Sequence, residues 1–231
     1  MQDLHCWQSK FNACHYSARL INKIILLNNH SNFKVNLNEV KKSIYYAKKY
    51  HGKQKRDTGE PYYSHPLEVA YMVSDYLFNT DILVTCILHD VIEDTNLDQG
   101  MIQQLFGQKI AKQVQSLTRI NLNGKISVTE IITLLSRQKQ EDLLLIKYFD
   151  RLHNLQTLSI KPTIKQREIL SETLKEFLPI AAHLGILELE KKMIKICKKI
   201  NFISQELSSQ ENFPFSFLDS YQPLFLAFQN A

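Results

Sequence analysis

The segment Ile87-Leu88-His89-Asp90-Val91-Ile92-Glu93-Asp94-Thr95 sets one imidazole and three carboxylates into a run that otherwise has the composition of a buried helix. Carboxylates are almost never fully buried without a partner, because an unpaired charge in an apolar environment is strongly disfavoured. A divalent cation held by adjacent His and Asp groups is the simplest such partner. On one continuous helix over 81–94, His89 and Glu93 stand at i and i+4, as do Asp90 and Asp94, so the pairs form neighbouring stripes. His89 and Asp90 are then placed to hold a metal, with Glu93 and Asp94 one turn further on to act on an attacking water.

Two ligands make a weak site, so further ones must come from elsewhere in the chain. His65 is one candidate: Pro66 follows it, which biases His65 to an extended backbone and suits Pro66 to the first helical position. Asp150 is the other, ending the apolar run Leu143-Leu144-Leu145-Ile146-Lys147-Tyr148-Phe149, where a carboxylate is hard to keep ionised without a cation beside it. Two His and two Asp make a mixed N/O set suited to Mn²⁺ or Fe²⁺, and the all-thiolate set of structural zinc is absent. Taken singly, each has a plainer reading, with His65 capping a helix and Asp150 paired to Lys147 or Arg151.

Helices must position these groups. Apolar periodicity predicts them over 5–28, from a cap at Asn38 to about Tyr50, then 66–78, 81–94, 99–106, 108–118, 126–138, 141–158, 165–182 and 187–200. The stretch 52–64 is polar and turn-rich, and the segment from about Gln205 reads as an irregular tail rich in aromatics. With only six glycines and six prolines, and no alternating hairpin pattern, the chain is all-α. It divides into an N-terminal helical extension (1–37), one helical domain (38–200) and a C-terminal tail (201–231).

Composition narrows the function classes. At 231 residues with 44% hydrophobic and 22% charged content, the chain is globular rather than disordered. A net charge of +5 suits an anionic small molecule without demanding nucleic acid. Cys6, Cys14, Cys86 and Cys197 have no framework or finger spacing, so they read as reduced thiols. No apolar run approaches the ~18 residues of a membrane span, and no signal peptide opens the chain. The expectation is a cytoplasmic protein without membrane or nucleic-acid partners; homo-oligomerisation is left open. His5, Cys6, Cys14 and His15 read as incidental to an amphipathic helix, His51 and His153 as supports around the metal set, and Lys191, Lys192, Lys195, Lys198 and Lys199 as a solvated face.

Four ordered segments resemble the HD hydrolase domain of RelA/SpoT-type alarmone enzymes. They are the stretch from His51-Gly52-Lys53-Gln54-Lys55-Arg56 to His65-Pro66; Leu88-His89-Asp90-Val91-Ile92-Glu93-Asp94-Thr95; Asp150-Arg151-Leu152-His153-Asn154-Leu155-Gln156-Thr157-Leu158; and Leu178-Pro179-Ile180-Ala181-Ala182-His183-Leu184-Gly185-Ile186. The resemblance runs from about residue 38 to 190 and implies an HD-domain helical bundle. It also implies Mn²⁺-dependent removal of the 3′-pyrophosphate from guanosine tetra- and pentaphosphate, giving GDP or GTP. Carried over, the metal ligands are His65, His89, Asp90 and Asp150, and Glu93 and Asp94 handle the water. Lys53, Lys55, Arg56, Arg151, Asn154 and Thr157 bind the nucleotide; Asp150, Asn154 and Thr157 would share one helical face. The chain departs from the family at Tyr148 and Phe149, where small residues are usual, and at 127–134, a segment largely apolar here. With the chain ending at Ala231, no synthetase activity is expected. The competing readings are a degenerate module that binds nucleotide or a protein partner without turnover, and a phosphohydrolase of another nucleotide.

Overall fold

The computed structural model describes residues 6–121 and 124–207; the expected tail beyond 207 lies outside them. Among these residues the chain is all-α apart from a two-residue antiparallel ribbon, Ile120–Asn121 with Gly124–Lys125. It divides into two compact units, residues 1–153 and 154–231.

The first unit holds α1 (Trp7–Lys10), α2 (His15–His30), α3 (Leu37–His51), α4 (Ser64–Val73), α5 (Thr80–Leu88), α6 (Val91–Asp94), α7 (Gln99–Phe106), α8 (Gln108–Leu117), α9 (Val128–Arg137) and most of α10 (Glu141–Gln156). Its axis is α5, in which every residue from Ile82 to Leu88 is buried because nearly all are apolar. Around it pack α3, α4 and α8, while α2 covers α3 and α4. Asn79 starts α5 by accepting the amides of Asp81 (2.9 Å) and Ile82 (3.4 Å). Such a cap is worth about 1 kcal/mol.

The helix expected over 5–28 is two helices, because residues 11–14 leave helical geometry and Cys14, extended at φ −112°, becomes the N-cap of α2. Its Ser17 hydroxyl reaches back to the Cys14 amide at 2.7 Å, which competes with continuous helix. Asn36, rather than Asn38, caps α3: its side chain accepts the amides of Asn38 (2.9 Å) and Glu39 (3.4 Å). The apolar segment at 127–134 forms α9, which buries Val128, Ile131 and Leu135 and packs on α8. Tyr148 and Phe149 are core residues, Phe149 lying against Tyr76 with ring centroids 5.3 Å apart.

The second unit contains a 3₁₀ turn (Leu158–Ile160), α11 (Thr163–Glu172), a π-helical stretch (Thr173–Phe177), α12 (Leu178–His183) and α13 (Leu187–Leu207). Pro179 has no N–H for the Lys175 carbonyl, and the Thr173 hydroxyl takes the Ile169 carbonyl at 2.6 Å; both loosen the α-helical ladder there. Leu189, Met193 and Cys197 form the buried stripe of α13 opposite its lysines.

A candidate metal centre

The turn-rich loop before α4 folds back on itself. Arg56 N–H donates to Glu60 O (2.9 Å) and Tyr62 N–H to Gln54 O (2.9 Å), with Lys55 bridged to Pro61. Gly59 sits at φ +87°, where an L side chain is strained. This returns the chain to α4, and here the structure corrects the expected extended His65. The helix starts at Ser64, the His65 amide donates to Tyr62 O (3.1 Å), and Pro66 is the third helical residue. First-turn amides have no intrahelical partner, so the missing proline N–H costs nothing there.

The continuous helix expected over 81–94 is broken at His89–Asp90. His89 Nδ1 donates to Cys86 O at 2.7 Å, claiming the carbonyl that an unbroken helix offers to the Asp90 amide. The helix restarts as α6, with Asp90 O accepting from Glu93 (3.1 Å) and Asp94 (3.0 Å). The two stripes are therefore replaced by a corner, with His89 and Asp90 on it and the acidic pair on the turn that follows.

At this corner the start of α4, the end of α5 and the middle of α10 meet. His65 Nε2 lies 3.1 Å from Asp150 Oδ1 and 3.5 Å from Asp90 Oδ2. His89 Nε2 lies 3.0 Å from Asp90 Oδ1 and 3.9 Å from Asp150 Oδ1. Donor atoms of His65, His89 and Asp150 fall within 4.8 Å of one another; Asp90 touches both imidazoles but stands at the edge of that set. His65 and His89 are 2% and 1% exposed.

One atom shows that this cluster suits a cation. With Nδ1–H committed to Cys86 O, His89 points its buried Nε2 into the cluster, 3.0 Å from Asp90 Oδ1 but without a well-directed hydrogen bond, so a bound cation would find that nitrogen's lone pair once the ring gives up its proton. His65 donates through Nε2 to Asp150 and accepts through Nδ1 from His153 Nδ1 at 2.8 Å. A cation at His65 Nε2 needs the opposite tautomer, which the same 2.8 Å contact to His153 serves equally well. Two imidazoles and two carboxylates are a donor set for a borderline or hard divalent metal.

In the metal-free cluster the positive charge is carried by His89 rather than His65. Burial pushes His65 down, keeping it neutral. Burial opposes charge on His89 too, but Asp90 and Asp150 outweigh it and lift its pKa to about 10. Burial would raise Asp90, yet His89 draws it down to about 2; Asp150 is held well below the carboxylate range against burial, chiefly by Lys147 and the two histidines. Burial, then His65 and Arg56, bring His153 down to about 3.

Lys147 is a contributor that sequence reasoning entertained only as the plain alternative. Its ammonium is 2.9 Å from Asp150 Oδ2, with side chains 5% and 13% exposed. The Lys147 pairing leaves room for the other reading of Asp150, since Oδ2 takes the lysine and Oδ1 faces the histidines. Tyr62 and Gln54 were missed as supports. Tyr62 donates its hydroxyl to Asp94 Oδ2 (2.7 Å) while its ring stacks on His51 at 4.8 Å. Gln54 donates to Asp94 O (2.7 Å) and accepts from His51 Nδ1 (2.8 Å). Glu93 accepts the Arg119 amide at 2.6 Å. Burial raises the pKa of both Glu93 and Asp94, and Asp90 adds to the rise.

The nucleotide candidates are dispersed. Lys53 and Lys55 are exposed, and Arg56 is half-buried and near enough to His153 to depress its pKa. Arg151 is 7% exposed, inside the core rather than on an open surface. Asn154 and Thr157 fall in the second unit. Because α10 ends at Gln156 and tightens into a 3₁₀ turn, Thr157 leaves the helical face expected for Asp150, Asn154 and Thr157.

The family model described as "HD domain" matches residues 43–187. The chain is 35% identical over 169 residues to the GTP pyrophosphokinase rsh of Brucella ovis, which covers 70% of this chain and 22% of that protein. It is 32% identical over 166 residues to the guanosine-3′,5′-bis(diphosphate) 3′-pyrophosphohydrolase of Aquifex aeolicus, covering 71% of this chain and 24% of that one. The chain thus spans less than a quarter of these curated relatives. In fold it is similar to a solved metazoan ortholog of SpoT that hydrolyzes ppGpp, with a TM-score of 0.59 and 22% identity, over 73% of this chain and 98% of that one.

Proposed function

The chain belongs to the HD-domain family, and from that premise we propose that residues 43–187 hydrolyse guanosine 3′,5′-bispyrophosphates, releasing the 3′-pyrophosphate and leaving GDP or GTP. The observation that carries this reading is the convergence of His65, His89 and Asp150, with the buried Nε2 of His89 turned toward the carboxylates of Asp90 and Asp150. The names of the relatives supply the substrate class. In this reading His65, His89, Asp90 and Asp150 hold Mn²⁺, which when bound supplies Lewis acidity toward a phosphoryl oxygen and acidifies water.

The protein's own groups do the rest. Glu93, whose raised pKa strengthens it as a base, accepts a proton from the attacking water. Asp94, held at its side chain by Tyr62 and at its carbonyl by Gln54, orients that water. The water oxygen bonds to the phosphorus nearer the sugar; the bond from that phosphorus to the ribose 3′-oxygen breaks, and the 3′-oxygen takes up a proton as pyrophosphate departs. Lys53, Lys55 and Arg56 neutralise phosphate charge, with Arg56 bordering the guanine. A reducing, cytoplasmic setting accords with the four free cysteines. Among the described residues, no helix is long and apolar enough to cross a membrane.

The test is incubation of the protein with Mn²⁺ and guanosine tetraphosphate, following pyrophosphate. Release that stops on chelation is expected. Nucleotide binding without release would overturn the reading in favour of a non-catalytic module.

A further inference from the structure

Away from the acidic corner, the connection between α1 and α2 folds against α3 and leaves a cleft of about 310 Å³. Its lining is Lys10, Phe11, Asn12, Tyr45, Lys48 and Lys49, and none of the candidate metal or water-handling residues reaches it. Tyr45, Lys48 and Lys49 recur at i, i+3 and i+4, so one face of α3 presents all three. Three lysines and two half-buried aromatic residues thus line one open space, with no carboxylate among the described lining residues. The cleft is open to solvent, with a volume at the lower end of the ~300–1,000 Å³ of small-molecule sites. Aromatic faces stack on a flat heterocycle, and ammonium groups donate to phosphate oxygens.

Lys48 is already placed rather than free to sweep. Its ammonium donates to Asn12 O at 2.8 Å and lies 5.4 Å from the Tyr63 ring centroid. Less side-chain freedom therefore remains to be lost on binding. We propose that this cleft is a second ligand site that binds a mononucleotide, with the base against Phe11 and Tyr45 and the phosphates among the lysines. The site stands whether or not the chain is a hydrolase. Because Tyr63 precedes His65 by two residues, a phosphate drawing on Lys48 bears on the segment that delivers His65.

Trp7 is the chain's only tryptophan and begins the short helix that ends at Lys10, which makes it a local reporter. The experiment titrates the full chain, stripped of metal, with ADP while following Trp7 emission. A saturable change is expected, with adenosine and inorganic pyrophosphate each binding more weakly than ADP. In Lys10→Glu/Lys49→Glu the half-saturating concentration should rise on the order of tenfold or more, as expected for lost charge-assisted contacts. Circular dichroism checks the fold, and Lys10→Gln/Lys49→Gln repeats the test should the reversed charges unfold α1. No Trp7 response to ADP would overturn the assignment. So would a response indifferent to both double variants, or pyrophosphate binding as tightly as ADP.

Discussion

Replacing Lys147 with Met removes one half of a buried ion pair and leaves the other half, Asp150, in place. The two charges are 2.9 Å apart, with side chains only 5% and 13% exposed, so water cannot rescue the orphaned carboxylate. Breaking such a pair from one side costs about 3–5 kcal/mol. Asp150 keeps the His65 Nε2–H at 3.1 Å, which places the expected loss near the lower end, about 3 kcal/mol. At roughly 2–4 °C per kcal/mol for a domain of this size, the metal-stripped protein should melt about 6–12 °C lower. Adding Asp150→Asn should recover much of this, because the stranded charge is gone; the double-mutant cycle should return a coupling of about 2 kcal/mol or more. With Mn²⁺ saturating, the single substitution should cost less, since a cation takes up the carboxylate's charge. Denaturant unfolding of the four proteins in chelator measures the cycle. A coupling under about 0.5 kcal/mol would refute the idea that Lys147 holds Asp150 for the histidines.

Three further outcomes follow from the same geometry. Tyr62→Phe keeps the ring on His51 but deletes the 2.7 Å bond to Asp94. It should lower kcat about tenfold or more, with KM and Mn²⁺ affinity little changed; equal loss in all three would point to general damage rather than loose water positioning. Glu93 and Asp94 must be ionised to accept a proton, and both pKa values are raised, so kcat/KM should fall with decreasing pH at a limb above the ordinary ~4.3 of glutamate. A pH–rate profile with its limb at or below that value contradicts the assignment. Without metal, His89 favours folding below its unfolded pKa of about 6.5, and this contribution is lost as pH rises toward about 10. His65 and His153, depressed in the folded state, favour folding above about 6.5 and lose that contribution as pH falls, His153 toward about 3. Melting temperatures of metal-stripped protein should therefore peak near pH ~6.5 and decline on both sides. A monotonic trend would show that these histidines do not govern it.

Much of the centre was legible in the chain because charge on apolar helices is conspicuous. His89 and Asp90 stand out among Ile87, Leu88 and Val91, and Asp150 stands out after Tyr148 and Phe149. What escaped was decided by single side-chain choices. The break at His89 arises from its own imidazole taking Cys86 O, which periodicity cannot register. The cap at Asn36 rather than Asn38 depends on which of two nearby asparagines has its oxygen over free amides. Tyr62 meets Asp94 across 32 residues of sequence, a contact only the folded loop creates. The aromatic pair before Asp150 turned out to lie in the core, because Lys147 and Asp150 share a face from which Tyr148 and Phe149 turn away.

The most direct test pairs metal content with turnover in two variants, His89→Gln and Glu93→Gln, against guanosine tetraphosphate in Mn²⁺. The first should lose both bound metal and pyrophosphate release, since it removes the imidazole Nε2 that faces the two carboxylates. The second should keep its metal and slow by about 10²–10⁴-fold, the usual worth of a positioned general base. Full turnover in Glu93→Gln, or undiminished metal in His89→Gln, would contradict the division of labour on which the account rests.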